Sequence, residues 1–295
     1  MGPSWESYVR GWARHAKTLR FQHRVDQARR FLSEAPGGTA GLFLALSGGK
    51  DSAVVAGLLD ELGVQVPWAY MHTALNFPDT LATVSAIGER FDWAVDVIVP
   101  TGLEQHVRDV CRRYNTPLPQ PSVDGWSEWD LLAAFPTSLN LLRSDTPSLA
   151  GARSRFMSVV ASGNMLVSHA YASGARGSIC GMRADESRGR KMRARVYGAN
   201  HVFAQDQQVL CCPIQWWTGE DVYAYLVDRE IPIHPYYQRA YAFMGGTTPP
   251  HLLRVDLSIM GDQVAALGAM AAIRAVYPAL FRKLAAVRPE VLGYV

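Results

Sequence analysis

Six consecutive residues, Ser47-Gly48-Gly49-Lys50-Asp51-Ser52, constrain this chain more than any other segment. They follow an apolar run, Leu42-Phe43-Leu44-Ala45-Leu46, that reads as a buried strand. They precede Ala53-Val54-Val55-Ala56-Gly57-Leu58-Leu59, which reads as the opening of a helix. A strand, a glycine-rich turn and a helix N-terminus together make an anion site, because successive backbone N–H groups curl toward an oxyanion and the helix dipole favours negative charge there. Gly48 and Gly49 permit positive φ and close backbone approach. Ser47 and Ser52 add hydroxyl donors, and Lys50 adds a point charge. The spacing is not that of the phosphate loop with four residues between its first glycine and the final Gly-Lys, nor is it a dinucleotide fingerprint. A lone Gly-Gly pair would be read as an ordinary strand-to-helix turn; the whole hexapeptide in this setting is read as a phosphate cradle.

The chain has 295 residues, 48% hydrophobic and 19% charged, enough to bury a large core. One main α/β domain with additions is expected rather than two equal domains. No apolar stretch reaches bilayer-spanning length, and Met1-Gly2-Pro3-Ser4-Trp5-Glu6 lacks an apolar secretory segment, so the expectation is a cytoplasmic protein with no membrane partner. The net charge of +3 is unevenly spread. Arg10, Arg14, Lys17, Arg20, Arg24, Arg29 and Arg30 share an N-terminal segment with a single acid between them, Asp26; a second cluster comprises Arg183, Arg188, Arg190, Lys191, Arg193 and Arg195. Such clusters suit a polyanion. Two readings of each stay open: nucleic-acid contact or a solvated helix face for the first, a nucleotide-binding loop or a polyanion patch for the second. The four cysteines, Cys111, Cys180, Cys211 and Cys212, form no C-x-x-C pair, so neither zinc nor dithiol spacing is present and buried strand cysteines are expected.

Along the chain, residues 5–34 pattern as one or two amphipathic helices, a basic extension over 1–36. The expected fold class is α/β, a doubly wound, mainly parallel sheet with helical N- and C-terminal extensions, its main domain spanning 37–240. Strands are expected near 42–46, 66–71, 93–99 and 178–182, with a hairpin from 196–203 and 208–212. Helices are expected from 53 to about 62, from 80 to 91 with Asp79 or Thr80 as cap, over 102–113 and 153–173, and from Thr218 to 229 with Thr218 and Asp221 at capping-box spacing. Residues 114–150, broken by prolines, read as an insertion, either a lid or a decoration. A helical tail occupies 241–295, and its apolar stretch over 264–273 suits either core packing or a homodimer seam.

Three further segments accompany the loop. His72-Thr73-Ala74-Leu75-Asn76-Phe77-Pro78-Asp79-Thr80 leaves the second strand at its carboxyl end, where open α/β sheets bind ligands. Gly181-Met182-Arg183-Ala184-Asp185-Glu186-Ser187-Arg188 leaves the fourth strand with two arginines suited to phosphate; Asp185–Ser187 reads equally as a helix start. Pro213-Ile214-Gln215-Trp216-Trp217 leads into the helix at Thr218, followed by Ile231-Pro232-Ile233-His234-Pro235-Tyr236-Tyr237; Trp216, Asp221 and Tyr225 are taken as architectural.

On these residues, over about 41–237, the chain resembles the phosphoadenosine-phosphosulfate (PAPS) reductase branch of the adenine-nucleotide α-hydrolases, whose PP-loop grips pyrophosphate as ATP is split to AMP and PPi. The resemblance implies ATP contacts from Ser47, Gly48, Gly49, Lys50, Asp51, Ser52 and Thr73, a Mg²⁺ held through Asp51, and catalytic roles for Lys50, Asp51, Arg183 and Arg188. Ala74 and Asp79 stand where the family has Gly and Glu. The tail, ending Arg288-Pro289-Glu290-Val291-Leu292-Gly293-Tyr294-Val295, lacks the reductase cysteine, and Cys211-Cys212 lacks the later C-x-x-C of the iron–sulfur members. The implied function is therefore a Mg²⁺-dependent ATP pyrophosphatase that adenylates an acceptor oxygen. DNA phosphorothioation of the Dnd or Ssp kind is the leading setting, with DNA met by the basic N-terminal segment and a sulfur-donor partner such as a cysteine desulfurase. Activation of a small acceptor, or a silent nucleotide-binding subunit, are the alternatives.

Overall fold

The computed structural model describes residues 2–72, 76–98, 174–204, 207–253 and 268–295, plus isolated positions at 104–129 and 255. Thr73, most of the expected helix over 102–113, the expected helix over 153–173 and nearly all of the 114–150 insertion lie outside the described residues. Six strands form one sheet: β1 (Leu42–Ala45), β2 (Trp68–Met71), β3 (Val95–Ile98), β4 (Gly177–Ile179), β5 (Asn200–Val202) and β6 (Val209–Cys211), in the order β3-β2-β1-β4-β6-β5. Every pairing is parallel except β5 with β6. The central strand is β1, with Leu42, Phe43 and Leu44 all buried, the continuous apolar run that a strand covered on both faces needs. Its neighbours are β2 on one side and β4 on the other, so strand order reverses beside it. The carboxyl ends of β1 and β4 hence flank the crevice where ligands of open α/β sheets bind.

Helices cover the sheet. Among the described residues these are α1 (Trp5–His15), α2 (Leu19–Ser33), α3 (Lys50–Glu61), α4 (Thr80–Arg90), α5 (Arg188–Tyr197), α6 (Gly219–Asp228), α7 (Tyr236–Phe243), α8 (Ala269–Val276) and α9 (Pro278–Val287). The run Ser52–Leu59 of α3 is buried throughout, as an all-apolar helix must be. Gly57 lets it meet its neighbours: a Cβ there would lie 2.7 Å from Ile231 Cδ1 and 2.9 Å from Tyr225 Cε1. Thr218 and Asp221 form the expected capping box at the start of α6. Tyr225 and Asp221 are buried, as architectural residues should be, and Trp216 is half-buried.

The N-terminal helices share this core. Trp12 stacks on Tyr223 with centroids 4.3 Å apart and planes 10° apart, and Phe21, Val25, Ala28 and Leu32 of α2 are buried. His15 Nε2 lies 2.8 Å from Asp221 Oδ1, and the indole N–H of Trp217 donates to the Arg24 carbonyl. Two members of the first basic cluster serve the fold: Lys17 pairs with Asp228 at 2.7 Å, and Arg29 with Asp26 and Glu61. Arg10, Arg14, Arg20 and Arg30 are exposed. In the tail, Met270, Ala272 and Ile273 are buried within the chain's own core, which favours packing over a dimer seam for these residues.

The structure corrects several boundaries. Strands begin at Trp68 and Val95, later than their apolar runs, and β4 ends at Ile179, short of Met182. α7 was not expected, and of α5 only its start at Ser187 was. α5 buries only Ala194, so its sequence carries no apolar period to read. Asp79 precedes α4 but makes no cap bond; its carboxylate instead accepts from Arg239 Nη1 and the Tyr277 hydroxyl, both at 2.7 Å.

His234 ties α4 to the approach of α7. Its Nδ1 accepts from the Tyr236 amide at 3.2 Å, so the ring proton sits on Nε2, which donates to Thr80 Oγ1 at 3.2 Å. The ring is 1% exposed. Burial, more than the charges of Asp79 and Arg239, pushes its pKa down to about 4 from 6.5. Between those values the unfolded chain binds a proton that the folded chain refuses, so stability is complete above the upper value and falls as pH drops toward the lower one, by up to about 3 kcal/mol. Thermal midpoints recorded across that window should fall with acidification in the wild type and more shallowly in His234→Asn.

Candidate functional site

The site is built at the β1–β4 junction from the loop after β1, the exit of β4 and the first turn of α3. Gly48 has φ +74, and a Cβ there would lie 2.9 Å from Thr80 Cγ2, so α4 packs directly on the loop and only glycine fits. Gly49 has φ −81, an ordinary value, so of the two glycines expected to supply left-handed backbone only the first does. The Ser52 hydroxyl donates to the Gly49 carbonyl at 3.0 Å and accepts from the Ser47 amide at 3.1 Å, which closes the loop on itself. Ser47 Oγ, 3.1 Å from Ser52 Oγ, accepts from the Gly49 amide and stands on an exposed residue. The two hydroxyls thus differ: Ser52 shapes the loop, and Ser47 faces outward.

Behind the loop runs a chain of charges. Lys50 is 3% exposed; its Nζ donates to Asp51 Oδ2 at 3.0 Å and to the Leu253 carbonyl at 3.3 Å, 5.4 Å from the centre of the Tyr237 ring. Its backbone amide donates to the Tyr237 hydroxyl at 3.2 Å. Asp51 Oδ1 accepts from Arg183 Nε at 2.5 Å. Arg183, also 3% exposed, donates further to Asp185 and to the Trp217 carbonyl, and Asp185 in turn accepts from the Gly219 amide at 3.1 Å. Burial alone would raise the Asp51 pKa; the charges of Lys50 and Arg183 outweigh it and hold the carboxyl below the usual carboxylate range. Burial alone would lower the Arg183 pKa, and Asp51 and Asp185 raise it instead.

Of the residues expected to contact nucleotide, Ser47, Gly48, Gly49, Lys50, Asp51 and Ser52 form one continuous loop and first turn, with Arg183 against Asp51. Lys50 and Arg183 are directed at carboxylates and carbonyls rather than outward. Arg188 opens α5, exposed and with no hydrogen bond or ion pair to it among the described residues. Ser187 caps that helix by accepting from the Arg190 amide, the structural role expected of it. A protein-held Mg²⁺ does not fit Asp51: each oxygen already accepts from a buried cation, and among the described residues no three His, Cys, Asp or Glu side chains gather to hold a metal.

Sequence reasoning gave no role to Tyr237, Leu253 or Gly181. Tyr237 lies within a motif singled out for other reasons, and no local signal marks the Leu253 carbonyl. Gly181 is explained by contact: a Cβ there would lie 2.6 Å from Asp51 C, 2.7 Å from Asp51 O and 2.9 Å from Ser52 N. The β4 exit and the first turn of α3 touch backbone to backbone, which delivers Arg183 to Asp51. Gly181→Ala should therefore cost about 1–3 kcal/mol. Gly189→Ala, on the open face of α5 with nothing within 4 Å, should instead gain a few tenths to about 1 kcal/mol. Urea unfolding of the two variants would read the opposite signs.

The family profile described as "Phosphoadenosine phosphosulfate reductase domain" matches residues 41–114 and 154–252, more than half of the chain. No curated protein matches the sequence. Similar solved structures include PAPS reductase from Candida auris in a phosphate complex, 13% identical, covering 84% of this chain and 95% of that one with TM-score 0.42. NMN synthetase from Francisella tularensis is 13% identical over 94% and 96% of the two chains, with TM-score 0.44. FMN adenylyltransferase from Candida glabrata, in complex with FMN and the ATP analogue AMPCPP, is 10% identical over 82% and 71%, with TM-score 0.44.

Proposed function

The chain belongs to the phosphoadenosine phosphosulfate reductase domain family, and from that premise we propose that it is an ATP pyrophosphatase: it binds ATP at the loop 47–52, releases PPi and transfers AMP to an acceptor oxygen. The observation that carries this reading is the loop itself, a positive-φ glycine between a buried strand and a helix N-terminus, closed by Ser52 and presenting Ser47 outward. A loop closed by its own hydrogen bonds needs little reorganisation as charge builds on the departing pyrophosphate, and such preorganisation is usually the largest catalytic contribution. Lys50 and Arg183 stand one layer behind, held by Asp51, and fix the position of the first turn of α3 that carries the loop. Mg²⁺ enters as the counter-ion that ATP brings. Arg188 and Thr73 are assigned to the nucleotide by family pattern.

DNA is the proposed acceptor, in phosphorothioate modification, with Arg10, Arg14, Arg20 and Arg30 as its contacts and a cysteine desulfurase as sulfur donor. The exposure of these four arginines supports that choice. A small acceptor such as sulfate is the second reading, supported by the same loop.

The test is PPi release from MgATP, with and without duplex DNA, in the wild type, Ser47→Ala and Asp51→Asn. Ser47→Ala should slow release about fivefold, the worth of one neutral hydrogen bond. Asp51→Asn should slow it about a hundredfold or more. Because removing one member of a buried ion pair costs about 3–5 kcal/mol of stability, each variant's thermal midpoint is measured alongside. Acceleration by DNA that fades steeply with salt supports the DNA reading. Acceleration by sulfate alone transfers the reading to a small acceptor. Orthophosphate in place of PPi overturns the reaction, and ATP binding without turnover in all forms indicates a silent nucleotide-binding subunit.

A further inference from the structure

The sheet brings together two thiols that lie 32 positions apart in sequence. Ile179 at the end of β4 is in register with Cys211 at the end of β6, so Cys180 and Cys212 are the next pair along the two strand exits. The Cys180 amide donates to the Cys211 carbonyl at 2.9 Å, and the two Sγ atoms are 3.4 Å apart. Adjacent strands lie about 4.8 Å apart, inside the Cα separation of about 4.4–6.8 Å that a disulfide spans. Successive side chains alternate between faces, which separates the neighbouring cysteines: Cys211 Sγ faces the Phe31 carbonyl of α2 at 3.9 Å, while Cys212 turns to Cys180. Cys180 is half-buried and Cys212 fully buried, so a reagent reaches the pair through Cys180. Arg193 closes the cluster, with Nη1 3.7 Å from Cys212 Sγ.

We infer that Cys180 and Cys212 are a redox-active dithiol, with Cys180 the attacking thiol and Cys212 the resolving one. A hydrogen bond from the Cys212 thiol, against the effect of burial, holds Cys180 below the ordinary thiol range, with help from the Met182 amide and the charges of Arg193 and Arg190. That same hydrogen bond, with burial, holds Cys212 well above it. The asymmetry suits a thiolate that reacts first and a thiol that waits. The oxidant is a low-molecular-weight disulfide such as oxidised glutathione. Cys180 thiolate attacks one of its sulfurs, forming a mixed disulfide and expelling one glutathione thiolate. Cys212 then loses its proton and attacks Cys180 Sγ, expelling the second. Two protein thiols give up two electrons and two protons, and one glutathione disulfide becomes two thiols.

The pair does not belong to the phosphate loop, but it borders it. Gly181, the residue after Cys180, is the one whose backbone lies against Asp51 and Ser52. Closing a bond to Cys212 therefore pins the β4 exit at the point where it supports the first turn of α3.

The wild-type protein, equilibrated in glutathione buffers of graded composition, quenched with acid and alkylated, is digested with trypsin and mapped by mass spectrometry. Cys180 falls in the peptide 177–183, whereas Cys211 and Cys212 share the peptide 196–229. The expected product joins these two peptides, lowers the free thiols per chain from four to two and reverts with dithiothreitol. In Cys211→Ser the link should persist. In Cys212→Ser it should be replaced by glutathione on Cys180. A brief iodoacetamide pulse on the native reduced protein should label Cys180 at least tenfold faster than Cys211 or Cys212. A peptide 177–183 that stays reduced in wild type at every buffer ratio, or a link that disappears in Cys211→Ser protein of normal circular dichroism, overturns the proposal.

Discussion

The carboxylate of Asp51 is the interaction on which the rest of this structure turns. It sits in the first turn of α3, between a lysine from its own helix and an arginine from the exit of a different strand, and each oxygen answers one of them. Two cations and two carboxylates, Lys50, Arg183, Asp51 and Asp185, make the cluster formally neutral, which lets Lys50 and Arg183 be buried. The dipole of α3 still favours an anion at the loop, while the side-chain charges behind it are already compensated. The chain of contacts continues through Arg183 to Asp185 and the start of α6, and through Lys50 to Leu253. Helix α3, the β4 exit, α6 and the segment after α7 are thereby fixed relative to the crevice by one string of polar contacts.

Around this polar centre the packing is aromatic. Trp12, Tyr223, Tyr237, Tyr236, Phe77 and Tyr277 form a nearly continuous series of edge and stacked contacts from α1 to α9. Burial raises the phenol pKa of Tyr223, Tyr236, Tyr237 and Tyr277, so these rings stay neutral. Neutral, bulky and partly polar, they suit a core that must also meet a buried ammonium: Tyr237 offers Lys50 a ring face and accepts its amide proton with the hydroxyl.

What could be read from the sequence followed from local physics. The buried strand, the turn and the apolar middle of α3 announce one another within about twenty residues, and the Thr218–Asp221 box and the Ser187 cap are local patterns too. Contacts made by backbone groups, or between distant side chains, left no such trace. Nothing near Gly181 states that Asp51 will lie against it, and nothing near Cys180 points to Cys212. Asp79 looked like a helix cap because cap preference is local, but Arg239 and Tyr277, far along the chain, compete for its oxygens and win. Of α5 only the start was legible, for the converse reason: it is a helix held by its cap and its neighbours rather than by an apolar stripe. The direction of Lys50 was likewise illegible, because a lysine beside a phosphate loop is expected to face the phosphate, and only the position of Leu253 and Tyr237 turns it inward.

The inward lysine has one more implication, for how such a loop can be moved between proteins. The hexapeptide looks like a portable cassette, a strand, a turn and a helix that could be grafted onto any parallel sheet. Here its lysine is completed by a carbonyl about two hundred residues later, its aspartate by an arginine on another strand, and its first glycine by the flank of α4. A graft carrying only residues 42–61 would bring two buried charges without their counterparts. The motif is short in sequence, but the unit that can be inherited or transplanted is the whole sheet with its tail.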